Sequence, residues 1–384
     1  MTLFAAALGL LALPALFISA YLFLLAVASR RRPQPAAARG LRFDLLVPAH
    51  DEEACVARTV RSLLAVDYPR ELRRVIVVAD NCSDETAARA EAAGALVLVR
   101  HDPARRGKGH ALAHAFERSL ADGFADAVAV VDADSIAPRN LLTAFAARLQ
   151  FGALAVQAGS AVLNVGDSWR TQLMELGFAL FNGVRSFARE NLGLSSGLRG
   201  NGMCLASSLL RRQPWSAFSI VEDLEYGLAL GRAGVRVQFA GEAIVRSAMA
   251  SSSQAAAAQR RRWELGRLQL ARKLARPLLL EALRRRSLIL FDLALDLIVP
   301  PLSFLALTVA IGCGASAMFA PAALPPWLIS AALLSGYVLR GWMLSGIGLR
   351  PFLHVPVYVF WKLAVLVRGT NDGWVRTPRE EPAA

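Results

Sequence analysis

The chain has 384 residues, is 55% hydrophobic and 19% charged, and carries a formal net charge of +13. That is too apolar for an ordinary soluble domain and too charged for membrane helices alone, and the length fits one large or two ordinary domains. The basic runs flank apolar segments, which suits topology signalling and anionic headgroups, so a lipid bilayer is expected as a partner and nucleic acid is not.

In chain order, Met1 to Ser29 contains no charge and is long enough to cross a bilayer. A cleaved leader would need a basic start, whereas Arg30, Arg31 and Arg32 follow the apolar stretch. The positive-inside rule then places the outward end first, and residues 1–29 are expected to be an N-terminal transmembrane helix.

From Arg42 to about Arg246 short apolar runs alternate with helical stretches. Phe43–Pro48, Val75–Ala79, Leu96–Val99 and Val128–Val131 read as strands. Helices are expected from Glu52 to about Val66, Ser83 to about Ala93 and Gly109 to about Leu120. Strands this apolar are expected to be buried on both faces, hence an α/β domain over residues 42–250 with a parallel sheet covered by helices. Ligands in such sheets bind at the carboxyl ends of the strands. There the chain places PAHDEE (Pro48–Glu53), DNCSDE (Asp80–Glu85), RHDPARRGKGH (Arg100–His110) and DADS (Asp132–Ser135). Polar loops are commonplace, but four in register point to one site for a nucleotide and a metal.

Asp132 and Asp134 stand two apart at a strand end, so an extended backbone would aim both carboxylates to one face, where they repel unless a cation lies between them. Mg²⁺ or Mn²⁺ takes such hard oxygen ligands together with substrate phosphates. The plainer alternative is that Asp134 caps a helix starting near Pro138. Lys108, in GKG, offers a point charge for phosphate. It is not a P-loop, because the expected glycine and Ser/Thr positions hold Asp102 and Gly109. Asp80 can accept from a nucleobase N–H. Glu222, Asp223 and Glu225 open a helix, where they either complement its dipole or supply a general base.

Gln259–Arg267 reads QRRRWELGR, on residues 251–286 expected as interfacial helices. Its arginines can clamp a diphosphate and Trp263 can stack on a sugar, or the stretch can be an amphipathic membrane-surface helix. On a helix Gln259, Arg262 and Trp263 share one face. Two more spans are expected within residues 287–346, about Ser287–Ala320 and Pro326–Gly346. Asp292 and Asp296 fall in the first, so its early half faces a cavity or lies at the interface. Residues 347–384 are expected as an interfacial segment and cytoplasmic tail. Cys55, Cys82, Cys204 and Cys313 lack CxxC spacing and read as free thiols.

In their order, VPAHDEE, DNCSDE, GKG, DAD, GNG at Gly200–Gly202, the Glu222–Asp223 pair and QxxRW at Gln259, Arg262 and Trp263 resemble the processive-type, membrane-bound family 2 glycosyltransferases, relatives of cellulose, chitin, hyaluronan and poly-N-acetylglucosamine synthases. WVRTPR (Trp374–Arg379) resembles a further element of some members, with Trp374, Thr377 and Arg379 near the active site. The resemblance implies a GT-A (Rossmann-like) fold and inverting transfer from a nucleotide-diphosphate sugar, commonly a UDP-sugar, with Mg²⁺ or Mn²⁺. It implies donor contacts from Pro48, Ala49, Glu52, Asp80, Lys108, Asp132, Asp134 and Arg262, with the metal on Asp132 and Asp134. It further implies acceptor contacts from Gly200, Asn201, Gly202, Glu222, Gln259 and Trp263, and Asp223 as base. The acceptor is expected to be a growing polysaccharide or a lipid-linked molecule at the cytoplasmic face of the inner membrane, with an export or oligomer partner completing any polymer path. The opposing reading, an inactive scaffold or export-assembly subunit, predicts loss of these acids and arginines, and all are present.

Overall fold

The computed structural model describes residues 3–31, 40–249 and 253–367. Helix α1 (Leu3–Ala28) precedes an α/β domain of β1 (Phe43–Ala49), α2 (Val56–Leu64), β2 (Arg73–Asp80), α3 (Thr86–Ala92), β3 (Leu96–Arg100), α4 (Lys108–Asp122), β4 (Ala127–Val130), β5 (Ser135–Ile136), α5 (Leu141–Gln150), β6 (Ala155–Val162), α6 (Trp169–Phe178), α7 (Arg185–Asn191), β7 (Met203–Ala206), α8 (Ser207–Arg212), α9 (Glu222–Arg232) and β8 (Val237–Ser247). Then come α10 (Ser253–Arg285), α11 (Leu288–Ile298), α12 (Leu302–Phe319), α13 (Leu324–Ser345) and α14 (Val355–Val367).

The sheet runs β3-β2-β1-β4-β7-β6-β8-β5. Its first four strands are parallel, as expected, but the sheet is mixed: β7 runs antiparallel to both β4 and β6. Leu46 pairs with Ile76 on one side and Val130 on the other, so β1, β2 and β4 deliver their carboxyl ends to one edge. Both faces are covered. Leu45, Val47, Val77 and Ala129 pack with Val56, Val60 and Leu63 of α2. Leu46, Ile76, Val128 and Val130 pack with Leu112, Ala115 and Phe116 of α4. The expectation fails at β3, an edge strand whose Val99 is 71% exposed.

The helices begin where the backbone allows. Asp51 and Asn81 both take positive φ just after β1 and β2, which delays α2 to Val56 and α3 to Thr86. The helix expected near Pro138 starts at Leu141 with Asn140 before it, so Asp134 does not cap it.

Among the described residues three helices are long and apolar enough to cross a membrane, over Ala5–Ala28, Leu302–Phe319 and Pro321–Ser345. The span expected from Ser287 to Ala320 is two helices. Proline lacks an N–H, and the chain breaks at Val299-Pro300-Pro301. The first piece, α11, turns Asp292 and Asp296 inward to buried arginines of α7. Arg189 Nε lies 2.7 Å from Asp292 Oδ2, and Arg185 Nη1 lies 2.9 Å from Asp296 Oδ1. Tyr21 of α1 donates to Asp292 and Arg340 of α13 donates to Ser29, tying the long helices to the α/β domain. Arg350–His354 forms a 3₁₀ turn that leads into α14, described from Val355 to Val367.

Candidate active site

Four of the sequence-selected motifs meet at the carboxyl edge of the sheet. Gly107, at φ +115°, turns the chain into α4, and Lys108 is its first residue. Its Nζ lies 2.5 Å from Asp132 Oδ1, 2.8 Å from the Gly200 carbonyl and 3.8 Å from Glu222 Oε1. Gly200 stands against the base candidate: a Cβ there would meet Asp223 Oδ2 at 3.0 Å and Lys108 Nζ at 3.4 Å. GKG, DAD, GNG and the Glu222–Asp223 pair are therefore one cluster, brought together from α4, the turn after β4, the loop before β7 and the start of α9.

The electrostatics follow from burial. Lys108 loses solvation, but Asp132, Glu222 and Asp223 outweigh that loss and raise its pKa. Burial raises Glu222 to about 7 despite Lys108, with Asp223 beside it adding to the rise. Burial likewise raises Asp223, against the lowering pull of Lys108 and Arg199. Two adjacent acids and one ammonium cannot all be charged without cost in such a place, which is a common signature of proton-handling sites. Glu222 is thus not a solvated complement to the helix dipole. Glu225 is exposed to that role more nearly, accepting from the Ser219 amide.

Asp132 and Asp134 do not sit on an extended strand. β4 ends at Val130, and the Ser135 amide donates to the Asp132 carbonyl, closing a tight turn. Asp132 is half-open and holds Lys108, whereas Asp134 is buried and accepts from the Ser135 hydroxyl. The Lys108 ammonium balances the charge of Asp132, while Asp134 turns into the fold beside Ser135.

GNG departs from expectation. Asn201 is buried and spends its amide inside the fold: its Oδ1 accepts from the Asp132 amide, and its Nδ2 donates to Ser135 and Ser247. It fixes the acidic turn instead of reaching an acceptor. A Cβ on Gly202 would lie 2.9 Å from the Ala158 side chain, so that glycine serves close packing. Sequence reading missed Gln157, which is fully buried. Its Oε1 accepts from the Arg199 amide, and its Nε2 donates to the Asn201 carbonyl at 2.7 Å, clamping the whole loop. A buried glutamine in an apolar strand is the one signal that marks it.

At the outer edge Asp80 is buried and paired with Arg100, Nη1 to Oδ1 at 2.5 Å, so one carboxylate oxygen expected to face a nucleobase is engaged by an arginine the sequence reading did not select. Pro48 and Ala49 end β1, pairing with Val78 and Ala79. Glu52 donates its amide to Thr86 and accepts from Cys55 Sγ at its carboxylate. Asp51, Cys82 and Asp84 bring ligand atoms within 4.8 Å of one another, but the aspartates already accept from the Ser83 and Glu53 amides. None of the four cysteines forms a disulfide.

Gln259, Arg262 and Trp263 lie on α10 as expected for a helix. Trp263 packs toward Val162 and Met174, and with Gln259 it lines a narrow pocket against α6 and α14. Trp374, Thr377 and Arg379 lie outside the described residues.

With this geometry in view, similarity to known proteins is informative. A family model described as "Glycosyltransferase like family 2" matches residues 41–266. Over 195 residues the chain is 31% identical to the beta-monoglucosyldiacylglycerol synthase of Synechocystis sp., covering 48% of this chain and 39% of that protein. Over 236 residues it is 24% identical to the probable glycosyltransferase YdaM of Bacillus subtilis, covering 59% and 55%. The chain thus spans about half the length of these relatives, or less. A mannosyltransferase from Pyrobaculum calidifontis, solved with GDP-Man and Mn²⁺, superposes with a TM-score of 0.60 at 19% identity over 95% of this chain and 99% of that one, which establishes the shared fold. The match over residues 41–266 takes in GKG, DAD, GNG and the Glu222–Asp223 pair, and the chain belongs to the family 2 glycosyltransferases, with their α/β GT-A fold.

Proposed function

We propose that the chain transfers a sugar, with inversion, from a nucleotide-diphosphate sugar to a lipid acceptor at the cytoplasmic face of the inner membrane. The observation that carries this reading is the convergence of Lys108, Asp132, Gly200 and Asp223 at the sheet's carboxyl edge. A UDP-sugar is the donor of choice by resemblance. Asp132 and Asp134 would hold Mg²⁺ or Mn²⁺, which supplies Lewis-acid charge against the diphosphate when bound.

The chain's own groups do the rest. The ionised Asp223 carboxylate accepts the proton of the acceptor hydroxyl as that oxygen forms its bond to the anomeric carbon. The bond from that carbon to the diphosphate breaks on the opposite side, and the electron pair leaves with the diphosphate. Lys108, held beside Asp132, and Arg262 on α10 balance the departing charge. Lys108 also bonds the Gly200 carbonyl, which keeps its charge close to the base without neutralising it.

Two observations support a lipid acceptor: the three long apolar helices, and a relative named for making a glucosyldiacylglycerol. A growing polysaccharide is the second reading, favoured by Gln259, Arg262 and Trp263 on one helix. Asp223→Asn keeps size but cannot take a proton. Turnover of donor is expected to fall by about 10²–10⁴-fold while donor binding survives. Activity within a few-fold of wild type would move the base elsewhere, with Glu222 next.

A further inference from the structure

Buried polar atoms without partners are rare and call for an explanation. Three of them gather where α6, α10 and the segment leading into α14 meet: Arg170 Nε, Gln259 Oε1 and His354 Nδ1. The place is rich in aromatic rings. Trp169 stacks on His354 with centroids 4.8 Å apart. The Arg170 guanidinium lies 5.1 Å from the Trp169 ring and 6.0 Å from that of Trp361. The Arg260 guanidinium lies 5.8 Å from the Trp263 ring and donates to the Tyr358 hydroxyl at 3.0 Å. Among the described residues neither Arg170 nor Arg260 has an ion-pair partner, and Glu264 on α10 is taken by Lys362 at 2.7 Å.

This is a positively charged, partly desolvated pocket with an unmet acceptor at Gln259. Half-buried guanidiniums with no carboxylate fit an anion, and planar forks fit phosphate oxygens best. The pocket encloses only about 10 Å³, so a headgroup sits at its mouth against the guanidiniums and does not enter it. It is framed by tryptophans and by the turn that follows α13, as expected at a membrane surface.

We propose that this pocket binds the phosphate-bearing headgroup of a membrane lipid at its mouth, with the Arg170 and Arg260 guanidiniums holding the phosphate. The inference rests on the reading that α1, α12 and α13 lie in the bilayer. The same chemistry is found in a bulk anionic phospholipid and in a phosphorylated lipid acceptor, and the test separates them.

The full chain in maltoside detergent is titrated with short-chain phosphatidylglycerol, phosphatidylcholine, a short polyprenyl phosphate and inorganic phosphate. Wild type is expected to bind at least one of the two anionic lipids about tenfold more tightly than phosphatidylcholine, and the R170Q/R260Q double variant to lose that preference. The tighter of the two anionic lipids identifies the source. Single R170Q and R260Q variants, each expected to weaken binding about threefold to fivefold, carry the test should the double variant not fold, and R170K, which keeps the charge but loses the planar fork, should restore only part of it. Equal affinity for phosphatidylcholine and both anionic lipids, unchanged binding in the arginine variants, or binding of inorganic phosphate with no preference among lipids would overturn the proposal. Nucleotide binding followed in the same samples reports on the transferase reading separately, because neither arginine touches the Lys108–Asp223 cluster.

Discussion

Lys108 stands between acids that would otherwise repel one another, and their protonation is set by how little water reaches them. Glu222 illustrates the consequence. Its pKa is raised to about 7 in the folded chain by burial. An unfolded glutamate titrates near 4.3, so between about pH 4.5 and 7 the folded state binds the extra proton. Stability from this group is therefore present at low pH and falls as pH rises through that window. Glu222→Gln is expected to flatten that part of the stability profile, measured as urea midpoints from pH 4.5 to 8. A slope identical to wild type would show that Glu222 titrates normally.

Gln157 belongs to the same scale. Replacing it with Leu would orphan the Arg199 amide and the Asn201 carbonyl, at about 1–3 kcal/mol for each buried group. Denaturant melts should show that loss, and nucleotide turnover should fall with it because the loop presents Gly200 to Lys108 and Asp223. Asp132 stood out in the sequence because it ends an apolar run, and Lys108 because glycines flank it ahead of a helix; the structure brings the two together. Gln157 was not selected and Asn201 was expected at the acceptor; their hydrogen-bond partners come from segments 40 or more residues distant, which no local pattern records.

At the scale of elements, β1, β2 and β4 were readable as continuous apolar runs because both their faces are covered. β3 has the same composition yet lies at the edge, and composition alone does not say which strand is last. The antiparallel β7 is four residues long and follows directly on Gly200 and Gly202, both at positive φ. The clearest misreading was α11. Asp292 and Asp296 were read as marking a half that faces a cavity or lies at the interface, and hydropathy could not show that Arg185 and Arg189, about 100 residues upstream, meet them. Removing one partner of such a buried pair leaves an uncompensated charge. Asp292→Ala is expected to destabilise the fold by about 3–5 kcal/mol, seen as a lowered melting temperature and increased proteolysis near α7. A change below about 1 kcal/mol would show that the pair is as weak as an exposed one.

For the molecule as a whole, the +13 charge, the three apolar helices and the α/β domain form one connected structure. Arg189 reaches Asp292 on α11 and Tyr21 on α1, Arg185 reaches Tyr337 on α13, and Asn191 reaches the carbonyl of Ala28. The loop from α7 then runs to Arg199 and Gly200, so the helices that are candidates for the bilayer and the base-bearing cluster share one short stretch of chain. That arrangement suits an enzyme whose acceptor arrives from the membrane and whose donor arrives from solution.

The account depends most on the acidic turn after β4 holding a divalent ion together with a nucleotide diphosphate. Calorimetric titration of the full chain in detergent with UDP, and with GDP in a parallel series, with and without Mn²⁺, tests it directly. The account predicts metal-dependent binding of a nucleoside diphosphate by wild type, weakened by about 10–100-fold in Asp134→Ala and in Asp132→Ala. Nucleotide affinity unchanged by Mn²⁺, or equal to wild type in both alanine variants, would contradict it.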